Sequence, residues 1–230
     1  MQEAIANGDV AEVESILKRT PSLSTFRFKD AKKNQQSPLN FACLTGNLKI
    51  VKLLLDNGAE ADLTFQDVRR RFPLQCSVES QSLPLVKAML DGDILSANYL
   101  RIMLREKTTL GQNCLHIAAG FLSSEILSHL LDALPDDAEQ RAAQLDAVQT
   151  SCGMTPLIVA ATGGYTDNVA ALIAAKANVN SKQIVGNAKG AGENGVGRTA
   201  LIAASIEGHA LVVKQLLSAK VRLSVDILNA

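Results

Sequence analysis

The sequence predicts an all-α protein built from stacked helix-turn-helix pairs, and three observations carry that expectation. A short motif of Ser or Thr, Pro, Leu and closely spaced Ala returns several times along the chain. A Gly about nine residues later is followed by a Val/Leu stripe at helical spacing. The 230 residues include only six Phe, two Tyr and no Trp, so the core must be Ala, Leu, Val and Ile. Self-similarity of this kind marks a repeat architecture, in which one helix pair cannot bury its own stripe but stacked neighbours can.

Each part of the motif has a physical role. The Ser or Thr hydroxyl caps the first helix, and Pro suits its first turn, where no N–H is needed. The Leu-x-x-Ala-Ala pattern gives that helix a small, close-packing face. Gly permits the positive φ that ends it before the second helix begins, and apolar residues at i, i+3, i+4 form the stripe of the second helix.

Taken in order, a truncated copy opens the chain with Ala4, Gly8, Val13, Ile16 and Leu17 (about 1–30). The second copy (37–62) runs from Ser37-Pro38-Leu39-Asn40-Phe41-Ala42 through Gly46 and Ile50 to Leu55. The third (72–92) opens with Phe72-Pro73-Leu74 and leads to Leu85-Val86-Lys87-Ala88-Met89-Leu90. The fourth (113–131) opens with Asn113-Cys114-Leu115-His116-Ile117-Ala118-Ala119, the fifth (155–180) with Thr155-Pro156-Leu157, and the sixth (199–222) with Thr199-Ala200-Leu201. Gln81 and Leu122 stand where the other copies have Gly. A left-handed residue there costs about 1 kcal/mol, so the third and fourth copies are expected to be irregular or to turn differently.

These copies resemble the ankyrin repeat family, with T-P-L-x-x-A clearest at 155–180 and 199–222. The resemblance implies one repeat domain over 1–230, a solenoid with finger loops, acting as a protein-binding module or scaffold without catalysis of its own. Starts at 37, 72, 113, 155 and 199 leave intervals longer than the family's roughly 33 residues, so the joints carry insertions. Asp93 to Thr108 is expected to be partly helical, with Leu95, Tyr99, Ile102 and Met103 at helical spacing. Asp132 to Thr150 is expected to start a helix at Pro135-Asp136-Asp137, with Ala138, Ala142, Leu145 and Val148 as its stripe. Ser181 to Gly197 is glycine-rich and reads as a loop.

Carried over position by position, the family's binding groove comprises Leu44 and Thr45, Glu79 and Ser80, Gly120 and Phe121, Thr162 and Gly163, and Ser205 and Ile206. Gln36, Arg71, Gln112, Met154 and Arg198 fall on the fingers. Leu44, Phe121, Met154 and Ile206 are then apolar side chains facing solvent, and a few such anchors carry most interface energy. Arg69-Arg70-Arg71 is the only dense basic run, a solvated turn or a contact for an acidic partner. His116 and His209 occupy family positions where the imidazole serves local hydrogen bonding, and His129 falls on a partly exposed helix position.

Other chemistries fit less well. Lys and Arg total 23 against 23 Asp and Glu, and with so few rings the chain lacks the charge excess and the stacking faces that nucleic acid requires. Cys43, Cys76, Cys114 and Cys152 include no CxxC pair or metal spacing and read as reduced thiols of a cytoplasmic protein. No cofactor or metal is implied. Gly190-Ala191-Gly192-Glu193-Asn194-Gly195 matches G-x-G-x-x-G, but Glu193 would set a carboxylate in the anion site. The start has no basic n-region or long apolar stretch, and no segment is apolar enough to span a bilayer. Glu3, Asp9, Glu12 and Glu14 give the first repeat a polar outer face. Val221, Leu223, Val225, Ile227 and Leu228 leave the last one apolar, so the array is expected to continue or to pack on another molecule. The alternative function is the targeting domain of a larger enzyme, or a bacterial effector whose catalytic part lies elsewhere.

Overall fold

The structure, a computed structural model, describes residues 1–29, 35–183 and 197–228, and side chains only as far as Ala219 in the last helix. Packing groups the chain into two compact units, residues 1–109 and 110–230.

In the first unit, α1 (Gln2–Ala6) and α2 (Val10–Arg19) form the opening pair, followed by a 3₁₀ turn at Pro21–Ser24. Asp9 caps α2 by accepting the Glu12 N–H at 2.9 Å, and Glu14 pairs with Lys18, so the acidic start is used locally. Two-residue strands β1 (Phe28–Lys29) and β2 (Gln35–Gln36) pair antiparallel ahead of α3 (Pro38–Thr45). The cap expected of Ser37 is present, its Oγ accepting the Asn40 N–H at 3.0 Å, and Gly46 ends α3 at φ 73°. Next come α4 (Leu48–Asp56), a 3₁₀ turn at Ala59–Thr64, α5 (Pro73–Glu79), α6 (Leu83–Leu90) and α7 (Ala97–Arg105). The first helices α1, α3 and α5 lie side by side, and α2 packs on α4. Leu39, Ile50, Leu54, Leu74, Leu85 and Met89 are fully buried, each contributing about 1.5–3 kcal/mol on leaving water.

The second unit repeats the scheme with α8 (Cys114–Ala119), α9 (Glu125–Asp132), α10 (Ala138–Leu145), α11 (Pro156–Gly163), α12 (Thr166–Ala174), α13 (Ala200–Ile206) and α14 (Ala210–Leu228). Thr155 and Thr199 cap α11 and α13 as expected, each hydroxyl accepting an N–H at 3.4 Å. Here α8, α11 and α13 are neighbours, and α12 contacts both α9 and α14. Leu115, Ile126, Leu157, Val169, Leu172, Val212 and Leu216 fill the core.

The two copies without the turn glycine resolve the problem differently. Gln81 takes the left-handed conformation at φ 59°, while Leu122 is not among the positive-φ residues. In that fourth repeat α8 stops at Gly120, φ −83°, and a non-helical stretch leads to α9 with Leu122 81% exposed.

The insertions at Asp93–Thr108 and Asp132–Thr150 are helical, as α7 and α10, and Asp137 caps α10. Their inward faces differ in part from expectation. Leu95 and Met103 are buried but Tyr99 and Ile102 are half exposed, because Leu104 rather than Tyr99 accompanies Met103 inward. Ala138 and Ala142 are exposed and Val148 is half-buried, while α10 buries the expected Leu145 together with Gln144. The glycine-rich segment and its G-x-G-x-x-G match lie outside the described residues, as do the side chains of Val221, Leu223, Val225, Ile227 and Leu228.

Candidate functional site

In each unit the ends of the first helices carry residues that the sequence assigns to binding, and buried polar side chains hold those ends and the fingers in place. The fourth residue of the motif does much of this work. Asn40 Nδ2 donates to the Phe65 and Arg71 carbonyls at 3.0 and 3.4 Å. Gln75 Oε1 accepts the Phe72 N–H while its Nε2 donates to the Glu106 carbonyl, both at 2.9 Å. His116 Nδ1 lies 3.3 Å from the Asn113 backbone nitrogen and 2.6 Å from Asn113 Oδ1, and its Nε2 faces the Met154 carbonyl at 3.1 Å. Each pin reaches about one repeat along the chain and satisfies a backbone carbonyl there.

The basic finger illustrates the consequence. Asp67 Oδ1 accepts the N–H groups of Arg69 and Arg71 at 2.8 and 2.9 Å, and Arg70 sits at φ 57°. Arg71 is not presented to solvent as its finger position implies. It is 7% exposed, donates from Nε to Asp67 Oδ2 at 2.8 Å, and also pairs with Glu79. Burial alone would lower the guanidinium pKa, but Cys76, Asp67 and Glu79 raise it, and the net shift is upward. The Arg71 charge is therefore engaged by Asp67 and Glu79. Arg69 and Arg70 are exposed, with Arg69 3.8 Å from Glu79.

Leu44, Phe121 and Met154 are half-buried rather than open. Thr45 is exposed and returns its hydroxyl to the Ala42 carbonyl, and Ser80 does likewise to Ser77. Gln36, Gln112 and Arg198 are also half-buried, and the Arg198 carbonyl accepts from the Gln183 N–H at 2.7 Å. Ser205 and Ile206 are exposed at the end of α13, Ile206 by 57%.

In the second unit the assigned residues converge, because α8, α11 and α13 are adjacent. Asn168 Nδ2 donates to the Phe121 carbonyl at 2.7 Å, and His209 Nε2 donates to the Thr162 carbonyl at 3.0 Å. These two bonds span 47 residues each and lock the ends of α8 and α11. Gly163 and Gly164 are demanded by close approach. A Cβ at Gly163 would lie 2.2 Å from the Tyr165 ring, and one at Gly164 2.6 Å from the His209 ring. His129 is half-buried on α9.

Several participants were missed in the sequence. Gln75 and Asn168 had no signal beyond being polar on apolar helices. Val68, Ile202 and Leu211 are exposed apolar side chains that the motif alone does not distinguish from core. Ile202 precedes Ile206 by one helical turn and shares its face. In the first unit Arg27 forms a bidentate pair with buried Asp62 at 2.6 and 2.8 Å and stacks 4.2 Å over Phe65. Burial raises the Asp62 pKa, and Arg27 and Ser37 partly offset it.

The cysteines are free thiols, with Cys43, Cys76 and Cys114 buried. Burial pushes Cys43 and Cys114 up to about 12 and Cys76 well up. Burial thus disfavours the thiolate form of Cys114. Among the described residues no group of three His, Cys, Asp or Glu could hold a metal, and no helix is long and apolar enough to cross a membrane.

A tier of capped helix pairs, in which the first helix of a pair holds carbonyls of the finger or segment that follows it, defines a helical repeat protein. A family model described as ankyrin repeats, three copies, matches residues 1–99, 96–183 and 142–227, and the chain belongs to that family. It is also 29% identical over 153 residues to the B-cell lymphoma 3 protein homolog of Mus musculus, a match covering 66% of this chain and 31% of that protein. Ankyrin repeats generally mediate protein–protein interaction and are typically non-catalytic.

Proposed function

We propose that this chain binds a partner protein through the ends of its first helices, with the surface of the second unit as the main contact. One observation carries the reading. The ends of α8, α11 and α13 are set side by side and fixed by the Asn168 and His209 bonds, so Phe121, Thr162, Ser205 and Ile206 are displayed in constant positions. A surface already ordered before binding loses little side-chain and loop entropy on association. Ile206, with Ile202 one turn before it, supplies an apolar anchor, and the hydroxyls of Ser205 and Thr162 supply a polar surround. Arg69 and Arg70 offer a separate basic contact on the first unit. The partner is a protein of the cytoplasm, where the reduced thiols are at home.

The test is affinity capture from cell lysate with the wild-type chain and with an Ile206→Glu, Ser205→Arg double variant. Both positions are exposed, so circular dichroism and Tm should be unchanged. A partner held by the wild type and depleted at least about tenfold by the variant is the expected result, equivalent to about 1.4 kcal/mol or more. Partners retained equally by both would overturn the assignment.

A further inference from the structure

On the other row of helices, the second unit carries a cleft that the protein-binding reading does not use. It lies between the C-terminal part of α12 with the turn after it and the middle of α14, with a volume of about 780 Å³. That is within the range of small-molecule sites, roughly 300–1,000 Å³. None of its lining residues belongs to a first helix. Its wall is apolar, from Ile173, Ala174, Ala177 and Val179 on one side to Ala219 on the other, and the exposed lysines Lys176 and Lys214 line it as well.

Three features separate this cleft from a packing gap. First, Gln215 lines it, and the Gln215 Oε1 is shielded from water without a hydrogen-bond donor. An orphaned buried acceptor is costly, and rotation of the Gln215 side chain into the cleft would bring its Oε1 to a ligand N–H or O–H. Second, neither lysine forms an ion pair among the described residues. Third, Lys176 holds the left-handed conformation at φ 72°, where the second helices of the second and third repeats end in Gly58 and Gly92 at φ 91° and 90°. A lysine there costs stability that glycine would not. Backbone strain retained at a charged residue on a cleft is the kind of outlier that accompanies function.

We propose that this cleft binds a small amphipathic organic acid: an apolar body along Ile173, Ala174, Val179 and Ala219, a hydrogen-bond donor on Gln215 Oε1, and an anionic head between Lys176 and Lys214. Apolar wall, orphan acceptor and paired cations together specify that combination, which neither a plain hydrocarbon nor a cation meets.

N-decanoylglycine is a suitable probe, carrying an acyl chain, an amide N–H and a carboxylate. Titration calorimetry on the full chain, below the micellar concentration, is expected to show saturable binding at one site. The methyl ester, lacking the charge, and N-decanoylsarcosine, lacking the N–H, serve as paired controls. Loss of the carboxylate, or the Lys176→Gly, Lys214→Ser double substitution, is expected to weaken binding at least about tenfold. Loss of the N–H should weaken it about three- to tenfold, and that preference should vanish in Gln215→Leu. Lys176→Gly alone should raise Tm while weakening binding, an opposition that a purely structural lysine would not produce. Absence of saturable heat, or equal binding of acid and ester by wild type and double variant, would overturn the proposal. Neither result bears on partner capture through Ile206.

Discussion

The second, third and fourth repeats place an amide or imidazole at the fourth position of the motif, whereas the fifth and sixth place isoleucine. Asn40, Gln75 and His116 each bridge to a carbonyl of a following finger or connecting segment. Ile158 at the same place in α11 is simply buried, and Ile202 in α13 is 44% exposed. With no polar group at that position, the root of the last finger is tied in the opposite direction. Gln183 Nε2 donates back to the Cys152 carbonyl at 2.7 Å, and the Gly197 N–H closes onto the Gln183 carbonyl. One helix position therefore does two jobs. Where it is polar it fixes the loop ahead, and where it is aliphatic it adds apolar surface.

The largest effect should come from the pinned finger's buried ion pair. Arg71→Met would leave Asp67 buried without its cation, and the first unit should lose about 3–5 kcal/mol, read as a shift in urea midpoint. Arg69→Met, at an exposed position, should stay within about 0.5 kcal/mol. Equal losses from both would mean that the Asp67–Arg71 pair does not hold this finger. Next are the pins themselves. Asn40→Leu, Gln75→Leu and His116→Leu should each cost about 1–3 kcal/mol by orphaning buried groups, and amide exchange should rise in the segment each one reaches. Ile202→Gln should change stability little, and a large loss there would erase the contrast.

A smaller effect tests the lock within the second unit. Gly164→Ala combines a positive φ with a clash against His209, for a loss of about 2 kcal/mol. Gly208→Ala meets nothing within 4 Å and should cost only the conformational share, about 1 kcal/mol. Gln81→Gly should gain about 1 kcal/mol by relieving the left-handed glutamine, while Leu122→Gly, where the turn is already remade, should gain nothing. The smallest perturbation is chemical. In the folded protein a thiol reagent at pH 8 should modify Cys152 first, leaving the three buried thiols to react only on unfolding; rapid loss of all four would contradict their burial.

Much of this molecule was legible because repeats write their local rules in short spacings. The Ser37, Thr155 and Thr199 caps, the turn glycines Gly46, Gly164 and Gly208, and the buried stripes Ile50–Leu54 and Val169–Leu172 all depend on residues within one turn or two of each other. The irregular third and fourth turns were legible for the same reason, although which one would strain and which would reopen was not. The site was less legible. Position in the motif located the ends of the first helices, but exposure at Leu44, Phe121 and Met154 depends on what the neighbouring repeat covers. The inward faces of α7 and α10 depend likewise on where each insertion folds back.

The sequence by itself determined the helix pairs, their caps, their number and the family to which they belong, since these follow from local conformational preference and apolar period. Only the tertiary structure decided that Arg71 is an internal strut, that Asn168 and His209 lock helix ends 47 residues away, and that Gln215 is left with an unanswered oxygen beside two lysines. Each of these depends on which groups meet across repeats. A buried polar atom is satisfied or orphaned by its neighbours in space, and spacing along the chain does not record them.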